Sequence, residues 1–310
     1  LNQHSPYRYR LEELDVDIEN FSLEQSFPVR LATNLNGSHV ALELQFNIIN
    51  GLQKLQIQTK HLNLVPFLPY FQDILPGKLG KGLLSTELLV TKHAEGFFAK
   101  GQVVFDDLDI TLDLESPLHW NGVRISLDQD FLYRLLDQVV EIEKLYVDIN
   151  GVQAGFKGKV LLAEPLQVAG EGSLKVPDLR EISDLLPLEL KEQVAVYGAA
   201  GNLDLLLHVQ GPPTGLDVIQ QAMLGVSDLQ ISIGDLRPAL NGTINYSEGR
   251  LFGEQLKVDL NGQLLIVDLE AIKKIAAFPY LQLMVSSEKL NLDALLSTKN
   301  ETPSSVAAAD

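Results

Sequence analysis

The sequence predicts a mainly β protein: an elongated, curved antiparallel sheet, a groove built from hairpin repeats with a few short flanking helices. Three observations predict it. Apolar and polar residues alternate strictly in many short runs, Asn-Gly pairs stand beside those runs, and the helical candidates between them are few and broken by proline.

The alternation is easiest to see in DDLDITLDLE, residues 106–115. Its five acids suggest a calcium loop, but the run has no glycine for the turn that such a loop requires. Leu108, Ile110, Leu112 and Leu114 are apolar, while Asp107, Asp109, Thr111, Asp113 and Glu115 are polar. Successive side chains of a strand point to opposite faces, so this is a strand with one apolar and one acidic face.

The same test succeeds from end to end. Leu14, Val16 and Ile18 alternate with Asp15, Asp17 and Glu19, and Val40, Leu42, Leu44, Phe46 and Ile48 with partners that include Glu43, Gln45 and Asn47. Further runs centre on Ile57, Ile125, Val147, Ile231 and Val258. About sixteen to eighteen strand candidates result, half-buried in the antiparallel manner. Asn-Gly begins at Asn36, Asn50, Asn121, Asn150, Asn241 and Asn261, and each is expected to turn a hairpin.

Five segments read as short helices. LVPFLPYFQDIL (64–75) is interrupted by Pro66 and Pro69, leaving a turn or two. DQDFLYRLLDQVVEIE (128–143) carries Phe131, Leu135, Val139 and Ile142 at helical spacing, with Asp128 as N-cap. PDLREISDLLPLELKEQV (177–194) opens with Pro177 and is broken by Pro187; PTGLDVIQQAML (213–224) and DLEAIKKIAAF (268–278) complete the set.

Composition sets the function classes. A net charge of −17 argues against a nucleic-acid binder and against broad attraction to anionic lipid surfaces. Cysteine is absent, so there is no disulfide framework or thiolate metal site. No apolar run is long enough to span a bilayer as a helix. The chain opens at Leu1 without a signal-peptide pattern and reads as a piece of something longer. Residues 1–296 read as one repeat-built module and 297–310 as a disordered tail or linker. The six histidines are scattered, the acids follow strand parity, and no nucleotide or nucleophile motif occurs; no catalytic, metal or cofactor residues are assigned.

A compound unit recurs: a strand, a leucine-rich short helix, a proline, then a glycine-marked strand. It occupies 55–90, returns at 166–211, and starts again at 281–296 as LQLMVSSEKLNLDALL. With LNLVPFLP, PDLREISDLLP and LDALL at its helical steps, and GKLGKGLLSTELLV and GNLDLLLHVQG after them, the unit resembles the AsmA family, in the wider group with TamB and YdbH. The resemblance covers most of residues 40–296. It implies a taco-shaped β-groove in the periplasm of a diderm bacterium, tethered to the inner membrane in the full-length protein. It also implies that the groove carries or bridges phospholipids between the membranes, with membrane at its ends, and it implies no enzyme activity.

Physical reasoning points the same way. A one-faced sheet must cover its apolar side or fill it with an apolar ligand, and the helical candidates are too few to cover this one. The expected lining is Leu42, Leu44, Phe46, Leu108, Ile110, Leu112, Leu205, Leu207, Val209, Leu256, Val258 and Leu260. The alternative is a structural or adhesive β-protein with a closed core and protein partners, since sandwich cores alternate in the same way.

Overall fold

The computed structural model describes residues 10–67, 77–112, 118–186, 191–192, 196–232, 236–260, 262–272 and 280–287. The expected tail and the helical part of the third unit lie outside them.

The described chain is one antiparallel sheet. Its strands are β1 (Leu11–Ile18), β2 (Phe27–Leu35), β3 (Ser38–Asn47), β4 (Gly51–Asn63), β5 (Gly77–His93), β6 (Gly96–Leu112), β7 (Leu118–Arg134) and β8 (Val139–Ile149). They continue as β9 (Val152–Leu161), β10 (Gln167–Val176), β11 (Ala200–Gly211), β12 (Ile219–Gln230), β13 (Ala239–Ser247), β14 (Arg250–Leu260), β15 (Gln263–Ile272) and β16 (Tyr280–Ser286). All sixteen lie side by side in chain order, so each pairs with its sequence neighbours and the sheet does not close. Among the described residues only thirteen apolar side chains are buried, far short of a sandwich core filled from two faces.

Hairpins make the order. Asn36 (φ 51°) with Gly37 (φ 83°), and Asn150 (φ 48°) with Gly151 (φ 90°), put two residues in succession in the left-handed region that a tight hairpin requires. Residues 48–50 turn between β3 and β4, where Asn47 Oδ1 accepts from the N–H groups of Ile49 and Asn50. Gly262 lies in the turn between β14 and β15. Two Asn-Gly pairs differ from expectation: Asn121-Gly122 lies inside β7 and Asn241-Gly242 inside β13, both at register shifts. A hairpin with no Asn-Gly signal, Glu248-Gly249, joins β13 to β14.

The expected helix at 128–143 and the described stretches 219–224 and 268–272 of two others are strands instead. Residues 128–143 form the end of β7, a turn and the start of β8. Phe131 and Ile142, which matched helical spacing, are cross-strand partners. Residues 219–224 belong to β12 and 268–272 to β15; Leu216–Val218 makes a single 3-10 turn. Pairing on both sides outweighs local periodicity in each case. The proline-interrupted segments keep short helical pieces: a 3-10 turn at Val65–Phe67, and α1 (Leu179–Ile182) followed by a 3-10 turn at Ser183–Leu185. Asp178 caps α1, its carboxylate accepting the Arg180 N–H at 2.9 Å. The strand–short helix–strand unit is therefore present between β4 and β5 and between β10 and β11.

Left-handed bulges adjust the register. His61 (φ 51°), Asp228 (φ 50°) and Gln255 (φ 52°) each interrupt a strand. In each case the displaced N–H is taken by a side chain of the next strand: Ser85 Oγ at 3.1 Å, Asn241 Oδ1 at 2.8 Å and Asp268 Oδ1 at 2.7 Å. Asp107 (φ 55°) bulges β6, so the apolar face changes from odd residues such as Phe105 to even residues such as Leu108.

Candidate binding face

In-register antiparallel partners share a face, so pairing traces how side chains continue across the sheet. One row passes through every strand. It runs Val16, Leu31, Leu42, Ile57, Leu88, Gly101, Gln129 and Leu145 over β1 to β8. It continues as Phe156, Gly172, Leu207, Ala222, Tyr246, Leu251, Ala271 and Leu281 over β9 to β16. At a strand spacing of about 4.8 Å, its fifteen steps follow a path of roughly 70 Å. No member is charged.

Burial along the row is that of an uncovered layer. Leu42, Ile57, Leu88, Leu145, Phe156 and Leu207 are half-buried, shielded at their flanks by neighbours on the sheet. At the two edges Val16 is 52% exposed and Leu281 61%.

The candidate lining residues all fall on this face. Leu42 and Leu207 belong to the row itself. Leu44 pairs with Val29 and Leu55, and Val209 with Gly170 and Ile219, one step to one side. Leu205, between Leu174 and Leu224, stands one step to the other. Phe46 pairs with Phe27 and Leu52, its ring edge-on to Phe27 at 6.2 Å between centroids. Val258 joins Leu240 to Leu265, and Leu260 faces Gln263. Leu256 is buried, packed against the glycine positions 242 and 253.

Leu108 and Ile110 are enclosed too. With Leu64, Leu79 and Val123 they form the core at the overhanging ends of β5, β6 and β7, against which Leu112, Trp120 and Leu185 pack. Leu185 comes from the segment after β10, and Trp120 donates its indole N–H to the Leu185 carbonyl at 3.2 Å. This part of the face is covered by the chain itself; the row through Leu88 and Leu207 lies outside that core.

The opposite face is ionic. Asp17, Arg30, Glu43 and Gln56 form one row over β1 to β4. Over β6 to β9, Lys100 pairs with Asp130 at 3.4 Å, and Glu141 meets Arg134 at 3.2 Å and Lys159 at 2.8 Å. The hydrogen bond from Lys159, then that from Arg134, hold the Glu141 carboxyl below its ordinary range. Among the described residues no cluster of three His, Asp or Glu is placed to hold a metal ion.

No family model, no curated protein and no solved structure matches this chain.

Sequence parity missed several members of the row. At Leu88 the adjacent Leu89 breaks the alternation, at Phe156 glycines on either side blur it, and Gln129 and Tyr246 are polar. Only the register places them there.

Proposed function

We propose that this chain is the lipid-binding module of a bacterial envelope protein, one that carries or bridges phospholipids between the inner and outer membranes through an apolar groove. The AsmA-like family, which its strand–short helix–proline–glycine units resemble, is the proposed relation; the periplasm, with an inner-membrane tether in the full-length protein, is the proposed setting. The reading is carried by the uncharged row from Val16 to Leu281, which crosses every strand and, among the described residues, is covered by no second layer.

Uncovered apolar surface on this scale needs a partner. Acyl chains suit it because burying each methylene yields about 0.8 kcal/mol without directional contacts, so a chain can shift along the row without breaking a fixed network. The ionic opposite face keeps such a protein in solution.

The test is purification from a bacterial host without detergent, followed by lipid mass spectrometry. The expected result is stoichiometric phospholipid or fatty acid that is lost in folded Leu88→Asp and Leu207→Asp variants. A folded, lipid-free wild type sinks the reading and favours a structural protein with protein partners.

A further inference from the structure

We infer that Gln129 is a polar station on the apolar row, where the carbonyl end of an acyl chain is held by the side-chain amide. The inference rests on the lipid-binding reading above and specifies where on the face the polar end of a chain comes to rest.

Several polar side chains on this face already have partners. Thr33, Thr59 and Thr86 stand there, and each hydroxyl donates to a backbone carbonyl of an adjacent strand: Glu12 at 3.0 Å, Leu84 at 3.4 Å and Gln102 at 3.2 Å. They are satisfied by the sheet. Gln129 is different: among the described residues its amide has no hydrogen-bond partner. It is half-buried, with Leu127 and Phe131 before and after it on the same side of β7 and Leu145 opposite on β8.

On its other side stands Gly101. A Cβ there would collide with the Glu87 carbonyl oxygen, so that position cannot carry a side chain and the space beside the amide stays open. An amide left among apolar side chains is costly once water is displaced, unless the incoming ligand supplies a hydrogen-bonding group. A carboxylate or an ester carbonyl does so, accepting from the amide N–H₂. An acyl chain would then extend along the row from Leu145 toward Ala222.

Row spacing agrees. The next polar member, Tyr246, stands six strands on, roughly 29 Å at about 4.8 Å per strand. A bilayer core of about 30 Å holds two opposed tails, so this interval takes one tail with room to spare.

The experiment compares palmitate, methyl palmitate and hexadecane as displacers of a bound fluorescent dye, on the wild-type chain and on Gln129→Leu, with Gln129→Met as a second variant. Both replacements put an apolar side chain on an apolar face and leave the backbone pairing intact. The expected result is that palmitate and methyl palmitate bind about five-fold more weakly to both variants while hexadecane binds at least as well. Loss confined to palmitate keeps the station and assigns it to free fatty acid rather than ester. Equal loss for all three ligands means a merely structural residue and overturns the station. No loss overturns it too, leaving the lipid-binding face in place. Failure of every ligand to bind the wild type removes the lipid-binding reading itself.

Discussion

Trp120 and Leu185 are 65 residues apart in the chain, yet the indole N–H of one donates to the carbonyl of the other at 3.2 Å. Trp120 sits near the start of β7, and Leu185 in the connection between β10 and β11. The bond ties that connection over the overhanging end of β5 to β7 and closes the small core beneath it. Among the described residues, the row through Leu88 and Leu207 has no such cover.

Trp120→Phe retains most of the packing and removes the donor. The expected cost is about 1 kcal/mol, read as a lower urea midpoint, with faster amide exchange over residues 179–185. An unchanged midpoint and unchanged exchange would mean that packing alone holds the cover.

Open and enclosed apolar residues answer differently to charge. Leu207→Asp is expected to leave a folded protein, because water reaches that face, and to abolish lipid binding. Val123 is 3% exposed in the core, so Val123→Asp is expected to destabilise by about 3 kcal/mol or more and to lose the folded circular-dichroism signal on mild heating.

The bulge at Gln255 depends on Asp268. Asp268→Ala removes the acceptor of the Gln255 N–H, at an expected cost of about 1–2 kcal/mol and with faster exchange of that amide. Gln255→Gly is expected to be neutral or slightly stabilising, because φ at this position is 52°. Gln255→Val should destabilise for the same reason. Chemical denaturation of the three variants orders them.

Glu141 makes stability depend on acidity. Its folded-state pKa lies below the ordinary value because Lys159 and Arg134 bond the carboxylate. The unfolded chain therefore takes up this proton first as pH falls. The contribution is present above the ordinary glutamate range, near 4.3, and is lost as pH drops through the folded value. Glu141→Gln is expected to flatten the acid side of a stability–pH curve, and added salt to reduce the difference between the two proteins. Parallel curves would show that these exposed ion pairs contribute nothing.

Legibility varied with the kind of signal. Strand parity located Leu42, Leu207 and Val258 on the apolar face directly, because each sits in a run with a clear period of two. It failed at 128–143, where Phe131, Leu135, Val139 and Ile142 match a helix as well as they match a hairpin. The spacing of a strand pair through a short turn happens to copy the helical one. It also failed at Asn121 and Asn241, where the residues of a hairpin turn serve as bulges within continuous strands.

The class of the fold, the alternation of its faces, the Asn-Gly turns at Asn36, Asn50 and Asn150, and the acidic character of the protein could be read from the residues alone. These are local properties, set by which backbone angles a residue accepts and by which side of a strand it occupies. It took strand pairing and packing to show that Val16 and Leu281 end one unbroken row, that Gln129 stands within it, and that Leu108 and Ile110 are enclosed while Leu88 and Leu207 lie outside that core. Register depends on bulges such as Asp107, each of which moves a whole strand by one side chain. Cover depends on Leu185 meeting Trp120 from far along the chain, a contact that no local pattern contains.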